Sequence, residues 1–212
     1  MALLNVRSRE TAHFGPLSPL PDVAMYLCIM GAILSYFWGT SEGPDFDVPD
    51  PATGLSPREK KALIDTWELV KLDITGNGVA ILVEFFRTYP QKLEKFAAFS
   101  TVPLDKLSTN KKFHAHANAI MYTVTSVVDN LDEPEVLVEM LKKLGENHGR
   151  RKIVKSEFEE LKKVILIVLT EKLGNKLTPQ AAAAWDKALS VVVEVTSQGI
   201  NSYTQAHSSI IS

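Results

Sequence analysis

Between residues 55 and 203 apolar side chains recur three and four positions apart, the spacing that gives a helix one apolar face. Leu63, Ile64, Trp67 and Val70 form one such stripe. Val79, Leu82, Val83 and Phe86 form a second, which must stop near Tyr89 because Pro90 disfavours a helical conformation in the residue before it. A third helix is expected from about Thr109 to Asn130, and Pro134 opens a shorter one ending around Gly149. Ser156 with Glu159 has the form of a cap for the next. Thr178 with Pro179 opens the last, which continues to about Tyr203. At the front, Ser56, Pro57 and Glu59 make a capping box with proline at the first helical position. The Gly-Asn-Gly at 76 to 78 reads as a helix junction. No segment alternates apolar and polar residues between turn signals, so the pattern predicts an all-α domain of packed helices joined by short loops.

Outside this region the period is lost. Residues 1 to 54 form an N-terminal extension, expected to be disordered, that carries most of the prolines. Within it lie an apolar run at 23 to 38 and an acidic, Pro- and Gly-rich stretch at 39 to 54. That stretch has too little apolar surface to offset the entropy of ordering, and it reads as a flexible linker. Residues 204 to 212 read as a flexible tail. At 212 residues the chain fits one domain plus an appendage. A net charge of -2, with lysines interleaved among glutamates, offers no field for a nucleic-acid backbone. The single cysteine, Cys28, cannot form an internal disulfide, so the fold rests on its core and a reducing compartment is the default.

Chemistry enters with the stretch Phe-His-Ala-His-Ala-Asn-Ala-Ile-Met at 113 to 121. Residues two apart on a helix point to nearly opposite sides, so His114 and His116 cannot both face the core. His116 shares its face with Phe113, Ile120, Val124 and Val127, whereas His114 lies with Asn110, Lys111, Asn118 and Thr125. His116 is the inward residue. On the next helix Leu137, Leu141, Leu144 and His148 form one stripe, which turns His148 inward as well. A lone histidine on an apolar face is more often a hydrogen-bonded core residue than a ligand; two on neighbouring helices raise the weight of the ligand reading.

These residues carry a resemblance to the globins that spans roughly 55 to 203. Trp67 stands where the first globin helix has its tryptophan, and Pro90 opens the third helix. Leu-Glu-Lys-Phe-Ala-Ala-Phe supplies Phe96 as the haem-stacking phenylalanine, with Phe99 three later. Ala-His-Ala-Asn-Ala-Ile-Met is similar to the distal helix with His116, Leu-Lys-Lys-Leu-Gly-Glu-Asn-His to the proximal helix with His148, and Trp185 completes the pattern. The resemblance implies a globin fold, helices in a sandwich around a pocket for haem b. His148 would be the proximal iron ligand and His116 the distal histidine. Phe96 would stack on the porphyrin, Leu82 and Ile120 would lie over the distal face, and Leu144, Ile153, Phe158 and Leu161 around the proximal side. For each apolar residue a plain core role accounts equally well for its place. Lys152 is the expected propionate partner.

The implied function is reversible binding of dioxygen for storage, transport or supply, and not enzymatic turnover. The alternative is a six-coordinate globin, with His116 on the iron, serving redox or gas sensing, or nitric-oxide dioxygenase activity with a reductase partner. Two further classes are weaker. A three-histidine zinc site from His114, His116 and His148 fails because the first two rings diverge on a helix. A cofactor-free interaction module has no need of His116, His148 and Phe96 together. The exposed helical faces carry no apolar seam, which favours a monomer or dimer.

The apolar run at 23 to 38 reaches about 24 Å as a helix, short of the roughly 30 Å hydrocarbon core. It lacks a small-x-small cleavage site. Met30 to Ser35 has the form Met-Gly-x-x-x-Ser, an N-myristoylation signal if Met30 is the initiator. Gly31 would then be acylated and hold a cytoplasmic protein to the inner face of a membrane, with Ile33, Leu34, Phe37 and Trp38 inserting as a second anchor. The rival is translation from Met1 with a weak signal anchor.

Overall fold

This computed structural model describes residue 43 and residues 45–208; the apolar run at 23 to 38 lies outside them. Within the described residues the chain folds as α1 (Pro57–Lys71), α2 (Ile74–Thr88), the short 3-10 helices η1 (Pro90–Lys95) and η2 (Leu104–Thr109), α3 (Lys111–Asp129), α4 (Pro134–Gly149), α5 (Lys155–Leu173), η3 (Gly174–Lys176) and α6 (Pro179–Ser208). No strand occurs among them.

The starts of these helices follow local chemistry. Ser56 and Glu59 close the expected capping box, the Glu59 carboxylate accepting the Ser56 N–H at 2.8 Å. Asp73 caps α2 by accepting the Gly76 N–H at 3.0 Å. The Gly-Asn-Gly at 76 to 78 is therefore inside α2, and the junction falls at Leu72 and Asp73 instead. Gly78 is there for contact: a Cβ would press on the Met121 side chain and the Ala117 carbonyl of α3. Asn110 caps α3 through the N–H groups of Lys112 and Phe113. The cap expected from Ser156 and Glu159 is not used. α5 starts earlier, at Lys155, because Glu157 accepts the Val154 N–H at 3.1 Å. α6 likewise continues through Ser208, so residues 204 to 208 are helix and not tail.

Residues 45 to 54, expected to be flexible linker, are held on the domain. Asp50 accepts the N–H groups of Ala52 and Thr53 and pairs with Lys60 at 3.0 Å. Arg58 pairs with Asp47 at 2.7 Å and lies 4.7 Å over the Phe46 ring. Lys187 of α6 donates to the Gly54 carbonyl at 3.0 Å, and Leu55 is fully buried. The acidic side chains that argued for disorder are the ones that find cations here.

Two apolar clusters make the core. The larger gathers α1, α2, α3, α5 and the front of α6 around Trp67, Phe86, Phe113 and Trp185. The two indole rings meet at 5.6 Å; Trp185 Nε1 donates to Thr66 Oγ1 at 2.9 Å and Trp67 Nε1 to Thr125 Oγ1 at 3.2 Å. The smaller joins Val127, Leu137, Leu141 and Val195. It exists because α4 packs closely on α6: a Cβ at Gly145 would collide with the Thr196 carbonyl, and one at Gly199 with the Lys142 carbonyl. α4 has no comparable packing on α3 or α5. The side of α4 that looks toward α3 and α5 is thus not closed by tight helix packing, and this seam between α4 and those helices is the candidate cleft.

Candidate functional site

The cleft is bounded by side chains that are apolar yet incompletely covered. Phe96, Ile120, Val124 and Leu161 lie on the rim of the larger cluster, and Leu144 on that of the smaller. Phe158 and Ile153 are half-buried as well. Val124 also lines a small cavity with Leu63, Val128 and Trp185, away from the histidines; the other half-exposed apolar groups are of the kind a site for a large apolar ligand needs. Leu82 differs from this set: at 2% exposure it is packed within the larger cluster.

His116 and His148 enter the cleft from α3 and α4. The Phe96 ring meets His116 edge-on at 5.1 Å, with Phe99 at 5.9 Å; Phe158 meets His148 edge-on at 5.1 Å. Phe96 and Phe99 stack at 5.4 Å and form one wall. His114 points elsewhere, with Nε2 2.7 Å from the Ser108 carbonyl. Among the described residues no three His, Cys, Asp or Glu side chains come together as a metal cluster.

His148 Nδ1 lies 2.8 Å from the Leu144 carbonyl. A carbonyl only accepts, so Nδ1 carries the hydrogen and the neutral ring keeps its lone pair on Nε2. Burial holds the His148 pKa below the ordinary value; the bond to Leu144 opposes this and the Arg151 guanidinium adds to it. The His116 pKa is also pushed down, first by burial, then by the charges of His148 and Arg151. His116 therefore senses His148 across the gap, and both rings sense Arg151. At neutral pH the site therefore offers two neutral imidazoles, the form that binds metals. No hydrogen bond to the His116 ring occurs among the described residues.

Arg151 escaped the sequence reading. It lies three residues after His148, donates to the Asn147 carbonyl at 3.1 Å and is felt by both histidines. The i to i+3 spacing from His148 was the available signal. Lys152, the expected anion partner, has left the helix with φ +57° and gives its carbonyl to Lys95 at 3.4 Å. The Ile153 N–H returns to the His148 carbonyl at 3.1 Å. Glu157, which links this corner to η1, was also missed. The signal for it was only a charged residue one place before Phe158.

Comparison with known proteins places this geometry in context. The family model described as Globin matches residues 79–196. Globin-1 of Anadara inaequivalvis is 34% identical over 146 residues, covering 68% of this chain and 96% of its own length. A hexacoordinated haem protein from an anhydrobiotic tardigrade superposes with a TM-score of 0.68 at 23% identity, over 72% of this chain and 99% of its own. A hexa-coordinate haemoglobin of Drosophila melanogaster superposes with a TM-score of 0.63 at 34% identity, over 67% and 93%.

Proposed function

The chain belongs to the globin family, and from that premise we propose that it holds haem b in the cleft and reversibly binds dioxygen and related small gases, with His148 as proximal ligand and His116 on the distal side. The observation that carries the reading is the pairing of His148 Nδ1 with the Leu144 carbonyl, which tethers the ring and leaves the lone pair on Nε2 available to a metal. The lining fits the group: an apolar disc needs apolar walls and a strong nitrogen ligand, and Phe96, Ile120, Leu144, Ile153, Phe158 and Leu161 supply the walls.

When bound, haem supplies the iron at which a gas is held. The protein's own residues do the rest. His148 anchors, Phe96 and Phe158 exclude water, Arg151 offers a cation toward the propionates, and His116 can donate an N–H to a polar diatomic ligand. A hydrogen bond to a charge-bearing acceptor contributes roughly 1.5 to 3 kcal/mol, about tenfold to a hundredfold in affinity. Leu82 acts from behind, as packing for the distal side.

A second reading has support of its own. His116 has no hydrogen-bond partner among the described residues, burial holds its pKa down, and the Drosophila relative is described as hexa-coordinate. With His116 on the iron, a gas must displace an imidazole, and apparent affinity falls by the open fraction. That would suit redox or gas sensing, or nitric-oxide dioxygenase activity with a reductase. Visible spectra of the full chain, loaded with haem and reduced without oxygen, decide between them. One broad visible band means an open iron and supports storage or transport; two sharp bands that collapse to one in His116→Leu mean six-coordination. A Soret band unchanged in His148→Ala overturns the ligand assignment.

The membrane reading remains a proposal from sequence. Among the described residues no helix is long and apolar enough to cross a membrane. Mass spectrometry of the native N-terminus tests acylation of Gly31, and an intact Met1 peptide would end it. Sedimentation of the full chain tests the monomer or dimer.

A further inference from the structure

The least explained charged group near the cleft is Glu157, whose side chain is only 7% exposed. Its Oε1 lies 2.8 Å from Lys95 Nζ and 3.3 Å from Lys92 Nζ, and its Oε2 accepts from Lys95 Nζ at 2.9 Å and from the Val154 N–H at 3.1 Å. Lys92 Nζ continues to Glu160 Oε2 at 2.9 Å. The match is one of register. η1 has three residues per turn, which puts Lys92 and Lys95 on one edge, and Glu157 and Glu160 are neighbours on the face of α5.

We propose that this four-residue cluster is a clamp that fixes the separation of the two aromatic walls of the cleft, with Lys95 and Glu157 as positioning residues for the haem pocket. The placement rests on sequence neighbours. Lys95 directly precedes Phe96, whose ring meets His116 at 5.1 Å; Glu157 directly precedes Phe158, whose ring meets His148 at 5.1 Å. The ion pair therefore joins the distal ring pair to the proximal one across the edge of the cleft.

Apolar packing of η1 itself comes from Leu93, and no residue of η1 is fully buried. A buried ion pair also loses hydration, so it adds less stability than apolar groups of the same size would. What it adds is a fixed distance and direction between two segments that otherwise touch little. Lys95 extends the link by donating to the Lys152 carbonyl at 3.4 Å, in the turn that follows the proximal helix.

The inference rests on the reading that the cleft holds haem, and its test has one arm that does not. Full-length Glu157→Gln, Lys95→Met and Lys95→Arg are compared with wild type in two measurements. The first is amide hydrogen exchange over residues 90 to 99 without haem; the second is haem loss to an excess of a haem-free acceptor protein. Glu157→Gln and Lys95→Met are expected to speed both by about tenfold or more, the loss of a charge-assisted hydrogen bond, while Lys95→Arg stays near wild type. Exchange at 90 to 99 that is unchanged in both variants, or that rises only in step with the global unfolding midpoint, overturns the clamp. If wild type takes up no haem, the haem reading fails and the exchange arm alone decides. If Glu157→Gln does not fold, Lys95→Met carries the test.

Discussion

A hydrogen-bond acceptor matters most where its donor has nowhere else to turn. Thr66 Oγ1 accepts from Trp185 Nε1 at 2.9 Å, and Trp185 is 1% exposed. Thr66→Val keeps the shape and strands a buried N–H, so it is expected to cost about 1 to 3 kcal/mol, read from the urea midpoint, whereas Thr66→Ser keeps most of it. Glu157 makes the corresponding argument for charge. Burial alone would raise its pKa, but Lys95, the Val154 N–H and Lys92 outweigh burial and hold it below the ordinary value. A carboxyl group with a depressed folded pKa stabilises above its unfolded value of 4.5, and that stability is lost as pH falls through the folded value. Unfolding titrations are expected to show Glu157→Gln costing stability at pH 7, with the gap to wild type narrowing as pH falls below 4.5. The inward turn of His116 and His148 was legible from spacing of three and four. The tautomer of His148 was not, because the Leu144 carbonyl reaches Nδ1 only in one rotamer, and periodicity is blind to rotamers.

Among elements, α4 is set apart because it depends on one neighbour. Gly145 and Gly199 let the α4 and α6 backbones approach, and a methyl group at either meets a carbonyl oxygen of the other helix. Gly199→Ala is expected to destabilise by roughly 1 to 3 kcal/mol despite the better helix propensity of alanine, because overpacking outweighs propensity. Thermal unfolding reads the loss, and weakened haem retention would follow from the shift of His148. Helix starts were read well where the cap is a local motif, as at Ser56 and Glu59. They were misread where it is less so: α5 begins at Lys155 because Glu157 is committed to the Val154 N–H, and Ser156 then falls inside the first turn. The stretch from 45 to 54 shows the same limit. A chain beginning at residue 55 is expected to unfold at lower urea than one beginning at 44, since it lacks the Asp50 turn and its pair with Lys60.

For the whole molecule the governing feature is the division of the core into two clusters, with α4 packed on α6 and not on α3 or α5. A ligand that binds only the folded chain stabilises it by mass action, about 4 kcal/mol at a thousandfold excess over Kd. Haem is expected to raise the unfolding midpoint of wild type and much less that of His148→Ala, as measured by paired thermal scans with and without haem. By itself the sequence determined the all-helical class, the stripes that face inward and the two histidines that share the interior. Each depends on residues three or four apart, where helical geometry dictates who faces whom. Only the tertiary structure decided the close crossing of α4 on α6, the anchoring of residues 45 to 54 and the Lys95–Glu157 link, whose partners are 62 residues apart. Such contacts form between segments brought together by the collapse of the core, and no local period encodes which distant side chain will be waiting there.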